Sequence, residues 1–314
     1  MEYIKPRIII SKCLEFDACR YDGQIIPNSF IRQLKQFVDF SPICPEVEIG
    51  MGTPRDPIHI AKDGDKILLP QPSTGNEFSD KMNSFSDKFI SEISHVDGFL
   101  LKHASPSCGI SSAKIYSLNS PAPIGKGPGL FASKVIQKFP LHPKEEEKRL
   151  NDVFLREHFL ISIFTIADYR RVHSFDDLYK YHAKHKYLFM SYNQTLMREM
   201  GKIAANEIRS ELKMVLGAYY NALLRLFGKK SRYQSNINTH MHVMGYFKNM
   251  ISNKEKTHFL DILEEYRSKI IPLSAVNNIL YSWILRFDNE YLKGQSFFCP
   301  FPKQLSDTEK SRFQ

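Results

Sequence analysis

Apolar residues recur along this chain with two different periods. In the first half they come as short runs: Arg7-Ile8-Ile9-Ile10, Ser41-Pro42-Ile43 and Gly98-Phe99-Leu100-Leu101. Runs of this length, bounded by polar and turn residues, read as strands. Stretches of helical spacing lie between them. Asn28-Ser29 caps a predicted helix bearing Phe30, Ile31, Leu34, Phe37 and Val38. Ser84 to Ile93 reads as a second helix, and Gly125-Lys126-Gly127-Pro128-Gly129 opens a third that runs through Val135. Strands alternating with helices predict an α/β domain with a mostly parallel, Rossmann-like sheet.

Beyond Pro140 the pattern changes. Pro140-Leu141-His142-Pro143-Lys144-Glu145-Glu146-Glu147-Lys148 combines two prolines with a dense charge run, as a linker or a helix start does. A domain boundary is expected there, dividing the chain into residues 1–143 and 144–314. A short helix with Leu150, Phe154, Leu155 and Phe159 follows. Helical periodicity then spans His173–Asn193, Met197–Phe227, Ile237–Asn249, Lys254–Ser268 and Leu273–Phe287, which predicts an all-α bundle. The tail from Lys293, with Pro300 and Pro302, reads as irregular, and the chain contains no internal repeat.

Composition places the chain among globular proteins, with 42% hydrophobic and 25% charged residues in a length of 314. No run of eighteen apolar residues occurs, so no membrane span is expected, and Met1–Arg7 lacks the plan of a signal peptide. A cytoplasmic location is the expectation. The net charge of +9 is unevenly distributed: residues 1–148 hold 18 basic and 18 acidic residues, residues 149–314 hold 25 and 16. A basic second half suits a polyanion such as RNA or DNA, and equally suits solvated helix faces. Tyr181, His182, Lys184, His185 and Lys186 are the residues there that could stack on and pair with nucleic acid.

Five cysteines, Cys13, Cys19, Cys44, Cys108 and Cys299, argue against a disulfide framework in such a chain. Three of them, Cys13, Cys44 and Cys108, each follow a predicted strand directly. Loops after the carboxyl ends of parallel strands converge on one crevice, so three thiolates could meet there. Three protein ligands would leave a coordination position open, as catalytic metal sites do. The alternative for each thiol is a small buried hydrophobe. Cys19 and Cys299 are read that way, Cys19 as pointing elsewhere. Glu46, two residues after Cys44, is a candidate proton acceptor. Gly50-Met51-Gly52-Thr53-Pro54-Arg55 is a tight loop in which Arg55 could meet phosphate or carboxylate, and Arg20 could bind an anion or pair with Asp22. Ser105 precedes Cys108 by three residues and can face the same ligand.

These segments together resemble the thiouracil desulfidase family. The shared features are Ser11-Lys12-Cys13-Leu14, Arg20-Tyr21-Asp22-Gly23, Cys44-Pro45-Glu46, the Gly50–Arg55 loop and Ser105-Pro106-Ser107-Cys108-Gly109, over roughly residues 5–140. One departure is Glu15-Phe16, where the family usually has a glycine soon after the first Cys-Leu. The second half resembles the helical domain of YbgA-type proteins, through Tyr181–Tyr187 and His242–Lys248. The first resemblance implies a [4Fe–4S] cluster held by Cys13, Cys44 and Cys108 with one iron open. It also implies non-redox, hydrolase-type removal of sulfur from a thiocarbonyl base, with Glu46 as base and Ser105 orienting substrate or relaying a proton. The substrate would be thiouracil, a thiouridine nucleotide or thiolated tRNA, the last held by the basic second half. Two rival readings are a nucleic-acid-binding or stress-response module with a structural metal, for which Cys19 would be the fourth ligand, and a cluster-bearing redox partner.

Overall fold

The isoleucine run at residues 8–10 forms the buried middle of β1 (Arg7–Ser11), the strand on which the first half is built. The computed structural model describes residues 2–118 and 122–306 and divides the chain into two compact units. One comprises Met1–Ala167, rejoined by the chain from Gln304 on; the other is Asp168–Lys303. The tail beyond residue 306 lies outside the described residues.

In chain order the first unit contains β1, α1 (Ser29–Leu34), β2 (Asp39–Ile43), α2 (Pro45–Glu48), β3 (Ile60–Asp63) and β4 (Lys66–Leu68). A small hairpin follows, β5 (Pro70–Gln71) with β6 (Asn76–Glu77), and then α3 (Ser79–Ser91) and β7 (Gly98–Leu101). The unit continues with β8 (Ala113–Ser117), β9 (Pro123–Gly127), α4 (Leu130–Lys138), β10 (Lys144–Glu146) and α5 (Val153–Asp168). Four strands pair in the order β10-β7-β1-β2, all parallel, as the α/β pattern predicts. Pro42 lies in β2, an edge strand, where a missing N–H costs least. The register sets Ser11 opposite Ile43 and Leu101 opposite Glu146.

A second, mixed sheet in the order β4-β3-β8-β9 is not anticipated by the apolar pattern, because its strands are short and largely exposed. The Pro140–Lys148 run also differs from expectation. It lies inside the first unit and supplies β10, with Glu146 and Glu147 buried. The short helix expected around Leu150 is instead a 3-10 turn at Arg149–Asn151, followed by the sixteen-residue α5. α5 crosses the sheet where Gly98 leaves room: a Cβ there would lie 3.0 Å from Ile163 and 3.2 Å from Ile8.

The second unit is all-helical: α6 (Phe175–Tyr192), α7 (Gln194–Ala205), α8 (Leu212–Phe227), α9 (Tyr233–Met244), α10 (Asn253–Arg267), α11 (Leu273–Arg286) and α12 (Glu290–Lys293). The stretch Met197–Phe227, expected as one helix, is two. Asn206 ends α7 in the left-handed conformation (φ 48°), and its side chain bonds both backbone groups of Ser210. No described helix is long and apolar enough to cross a membrane.

The core of this unit includes buried polar networks, one of them around Asp168. Asp168 Oδ2 accepts from Lys184 Nζ at 2.6 Å and lies 3.0 Å from His185 Nε2, while His185 Nδ1 is 2.7 Å from Ser296 Oγ. Burial holds His185 below its ordinary pKa despite the Asp168 carboxylate, so the ring is neutral near pH 7. It donates from Nε2 and accepts the Ser296 hydroxyl at Nδ1. Tyr181 packs on the same imidazole, ring centroids 4.4 Å apart. Tyr181 and His185, read from sequence as possible nucleic-acid contacts, are therefore core residues: their i,i+4 spacing sets both on the inner side of α6.

Burial alone would push Asp168 up, but the bonds from His185 and Lys184 bring it down to about 2. A depressed carboxylate stabilises the fold fully above its unfolded value of 3.8 and loses that contribution as the pH falls through about 2. Asp168→Asn is expected to cost about 3 kcal/mol at pH 7. In urea titrations the gap from the parent chain should narrow steadily below pH 3.8; a gap independent of pH would contradict this account.

Candidate active site

Three strands of the parallel sheet, β2, β1 and β7, end level, and the loop after each carries a cysteine. After β1 the chain turns tightly, with Leu14 N–H donating to Ser11 O at 2.9 Å, and this turn lifts Cys13 to the cavity. Glu15 takes the left-handed conformation that favours glycine (φ 68°). Its side chain holds that strained backbone in place by accepting from Asn28 N–H at 2.5 Å and Arg32 Nη2 at 3.0 Å.

After β2, Cys44 occupies the residue before α2, with Pro45 as first helical residue. Its sulfur lies 3.7 Å from the Cys19 carbonyl oxygen. After β7, Ser105 Oγ accepts from the amides of Ser107 at 3.2 Å and Cys108 at 3.0 Å, which shapes the Ser-Pro-Ser-Cys turn. The start of α4 completes that turn. Leu130 and Ala132 donate their helix-terminal amides, both at 3.0 Å, to Pro106 O and Ser107 O. Gly129 makes this approach possible, since a Cβ there would lie 2.5 Å from the Ser107 carbonyl carbon and oxygen.

Cys13, Cys19, Cys44 and Cys108 all line one cavity of about 420 Å³, together with Glu46, Arg55, His103 and Ser105. Cys19, expected from the sequence to point elsewhere, thus belongs to the same cavity, and Arg55 Nη1 donates to its carbonyl at 3.0 Å. Glu46 is held from two sides: Oε1 accepts from Ser107 Oγ at 2.9 Å and Oε2 from Arg55 Nε at 3.0 Å. Arg55, 4% exposed, therefore meets a carboxylate of its own chain. Arg20 pairs with Asp22 at 2.6 Å.

The thiols feel their burial and one another. Burial, then the neighbouring Cys44, pushes Cys13 up to about 12, and burial holds Cys108 well above the ordinary thiol value. Cys44 moves the other way: the contact with Cys19 lowers it against burial, with help from the Val47 amide, and Cys19 rises correspondingly. Burial and the neighbouring thiols disfavour ionising Cys13 and Cys108, and a cationic group beside them would offset this. Among the described residues no three Cys, His, Asp or Glu side chains are gathered tightly enough for a single metal ion. Three soft donors around a cavity of this volume suit a thiophilic group larger than one ion, as an iron–sulfur cluster is.

Several supporting residues were not assigned from the sequence. Ser107, rather than Ser105, bonds Glu46. Glu147 accepts from Lys102 Nζ at 2.8 Å and His103 N–H at 2.6 Å. Glu146 accepts at Oε1 from Ile110 N–H, Ser111 N–H and Ser112 Oγ at 2.6, 3.1 and 2.7 Å. Nothing local in a run of three glutamates reveals that two of them are buried; their pairing partners are more than thirty residues away.

Residues 8–147 match the family model described as 2-thiouracil desulfurase, and residues 186–302 match that of a protein of unknown function, DUF1722. The uncharacterized protein YbgA of Escherichia coli (strain K12) is 24% identical over 152 residues, covering 47% of this chain and 90% of its own length. The uncharacterized protein YbbK of Bacillus subtilis (strain 168) is 28% identical over 153 residues, 46% of this chain and 99% of its own. Among solved structures, a [4Fe–4S]-dependent thiouracil desulfidase, TudS, is 27% identical, with 47% of this chain and 95% of that one covered and a TM-score of 0.38.

Gly129→Ala is expected to destabilise the first unit by about 1–3 kcal/mol through overpacking against the cysteine turn, and to make Cys108 reactive toward a thiol reagent. Gly125→Ala, where an added Cβ meets nothing within 4 Å, is the neutral control. Thermal unfolding and thiol titration of the two variants check this; equal behaviour would remove the close approach as a constraint.

Proposed function

We propose that this chain, whose N-terminal domain belongs to the 2-thiouracil desulfurase family and whose C-terminal domain is of the DUF1722 type, is a desulfidase acting on thiolated pyrimidines. The observation that carries the reading is the meeting of Cys13, Cys44 and Cys108 in one cavity with an anchored carboxylate, Glu46. We assign to Cys13, Cys44 and Cys108 the ligation of a [4Fe–4S] cluster with one iron free of protein ligands. When bound, such a cluster supplies a soft Lewis acid for a thiocarbonyl sulfur.

The remaining chemistry belongs to the chain. Glu46 receives a proton from the attacking water, and Arg55 and Ser107 hold its carboxylate in orientation. Ser105 Oγ already accepts from two amides, which leaves its hydrogen to donate toward the substrate. The net reaction replaces C=S by C=O at the expense of one water and releases sulfide, a hydrolysis without redox change. The substrate is thiouracil, a thiouridine nucleotide or thiolated tRNA; the charge excess in residues 149–314 favours the larger polyanion.

The rival, a structural metal closed by four thiols, draws on Cys19 lining the same cavity as Cys44, against the finding that no three such side chains among the described residues are gathered for a single ion. Cys19→Ala separates the two, because it should leave a catalytic three-cysteine site loaded and active.

The test is anaerobic reconstitution with iron and sulfide, followed by sulfide release from 2- and 4-thiouracil, their nucleotides and thiolated tRNA. Ala at Cys13, Cys44 or Cys108 should abolish both colour and turnover. Glu46→Gln should keep the colour and lower turnover about 10²- to 10⁴-fold. Full activity in that variant would remove Glu46 as the base, and a colourless zinc protein would move the weight to the structural site.

A further inference from the structure

A second titratable side chain lines the cavity besides Glu46. His103 lines it with 31% of its side chain exposed. Its Nδ1 lies 2.6 Å from Glu146 Oε2, while its Nε2 makes no hydrogen bond among the described residues. Glu146 is 1% exposed at its side chain, and its other oxygen already takes two amides and a hydroxyl. Burial alone would raise this carboxylate, but those donors and His103 hold it below the ordinary glutamate value, so it stays charged. A charged carboxylate accepts only, so in this pair His103 Nδ1 carries the hydrogen, and Nε2 is the ring nitrogen left without a protein partner among the described residues.

The backbone on both sides is equally constrained. His103 N–H donates to Glu147 Oε2 at 2.6 Å. Ala104 takes the left-handed conformation (φ 57°), with its N–H 2.6 Å from Ser112 Oγ, the hydroxyl that also donates to Glu146. A carboxylate–imidazole pair at the wall of a cavity is an arrangement by which proteins position a proton carrier. A surface histidine would need none of this support.

We infer that His103 is the second proton-transfer residue of this site, carrying a proton at Nε2 between water and departing sulfur, with Glu146 as its positioning residue. The inference rests on the desulfidase reading. In that hydrolysis the C–O bond forms as Glu46 receives one proton of the water. His103 Nε2 receives the second as C=O forms, and passes it to the sulfur as the C–S bond breaks with its electron pair leaving on sulfur. Products are the oxo-pyrimidine and hydrosulfide; Glu46 returns its proton to solvent, and no oxidant or reductant takes part.

The experiment compares reconstituted parent, His103→Asn, His103→Ala and Glu146→Gln chains. Asn keeps a donor toward Glu146 and lacks the second nitrogen. His103→Asn is expected to retain iron content, thermal stability and calorimetric affinity for uracil, while kcat falls about 100-fold. His103→Ala should recover activity with added imidazole. Glu146→Gln should lower kcat with KM little changed. Parent-like kcat in His103→Asn, loss of iron or stability in that variant, or failure of imidazole to restore His103→Ala would each overturn the inference alone. A parent chain that loads iron yet releases no sulfide from any thiolated pyrimidine would instead overturn the desulfidase reading, and this inference with it.

Discussion

The level ending of four parallel strands is the constraint on which the first unit depends. Because β10, β7, β1 and β2 run the same way and in register, Glu146, Leu101, Ser11 and Ile43 stand in one row. Each following loop then has one place to go, the crevice above that row. Groups more than ninety residues apart become neighbours: the Lys102 backbone N–H donates to Ser11 Oγ at 2.9 Å, binding the first cysteine turn to the last. The electrostatic consequence is severe. Burial, with the neighbouring thiols, pushes Cys13 and Cys108 up, while the contact with Cys19 brings Cys44 down.

Around that crevice the backbone is held in conformations it would not choose. Glu15 and Ala104, both non-glycine residues with positive φ, flank the cavity from two loops. Each is fixed by hydrogen bonds reaching in from elsewhere: Asn28 and Arg32 to Glu15, Ser112 to Ala104. Glutamates do much of this fastening. Glu15 binds a helix start, Glu146 gathers the chain returning from Cys108, Glu147 ties Lys102 to the backbone of His103, and Glu46 spans from Arg55 to Ser107. Buried carboxylates are tolerable here because every one has several donors.

The second unit uses polarity differently. Its buried Asp168, His185 and Ser296 make a chain of hydrogen bonds that fastens the segment after α12 to α6, and Gln295 adds a bond from its side-chain amide to Ala183 O at 2.8 Å. Ring contacts among Tyr169, Tyr181 and Tyr219 fill the space around it. A fully satisfied polar network specifies one packing among the many an aromatic-rich helical core would otherwise allow.

Much of the architecture was legible in the chain itself. The Ile8–Ile10 and Gly98–Leu101 runs announce β1 and β7, helical spacing announces α6 and α9 to α11, and three cysteines after three strands announce a common cavity. These are local signals: side-chain periodicity and turn residues act within a few positions of one another. What only tertiary structure decided involves partners distant in sequence. The Lys144–Lys148 charge run became a buried strand because β7 offered it a parallel edge, and Cys19 joined the cavity because Arg55 and Cys44 meet its carbonyl. His103 acquired its orientation from Glu146, forty-three residues on. The sequence by itself determined which loops carry thiols and carboxylates. Which of these groups are buried, paired or turned to the cavity was decided only when the sheet brought them together, because burial and hydrogen bonding depend on neighbours in space.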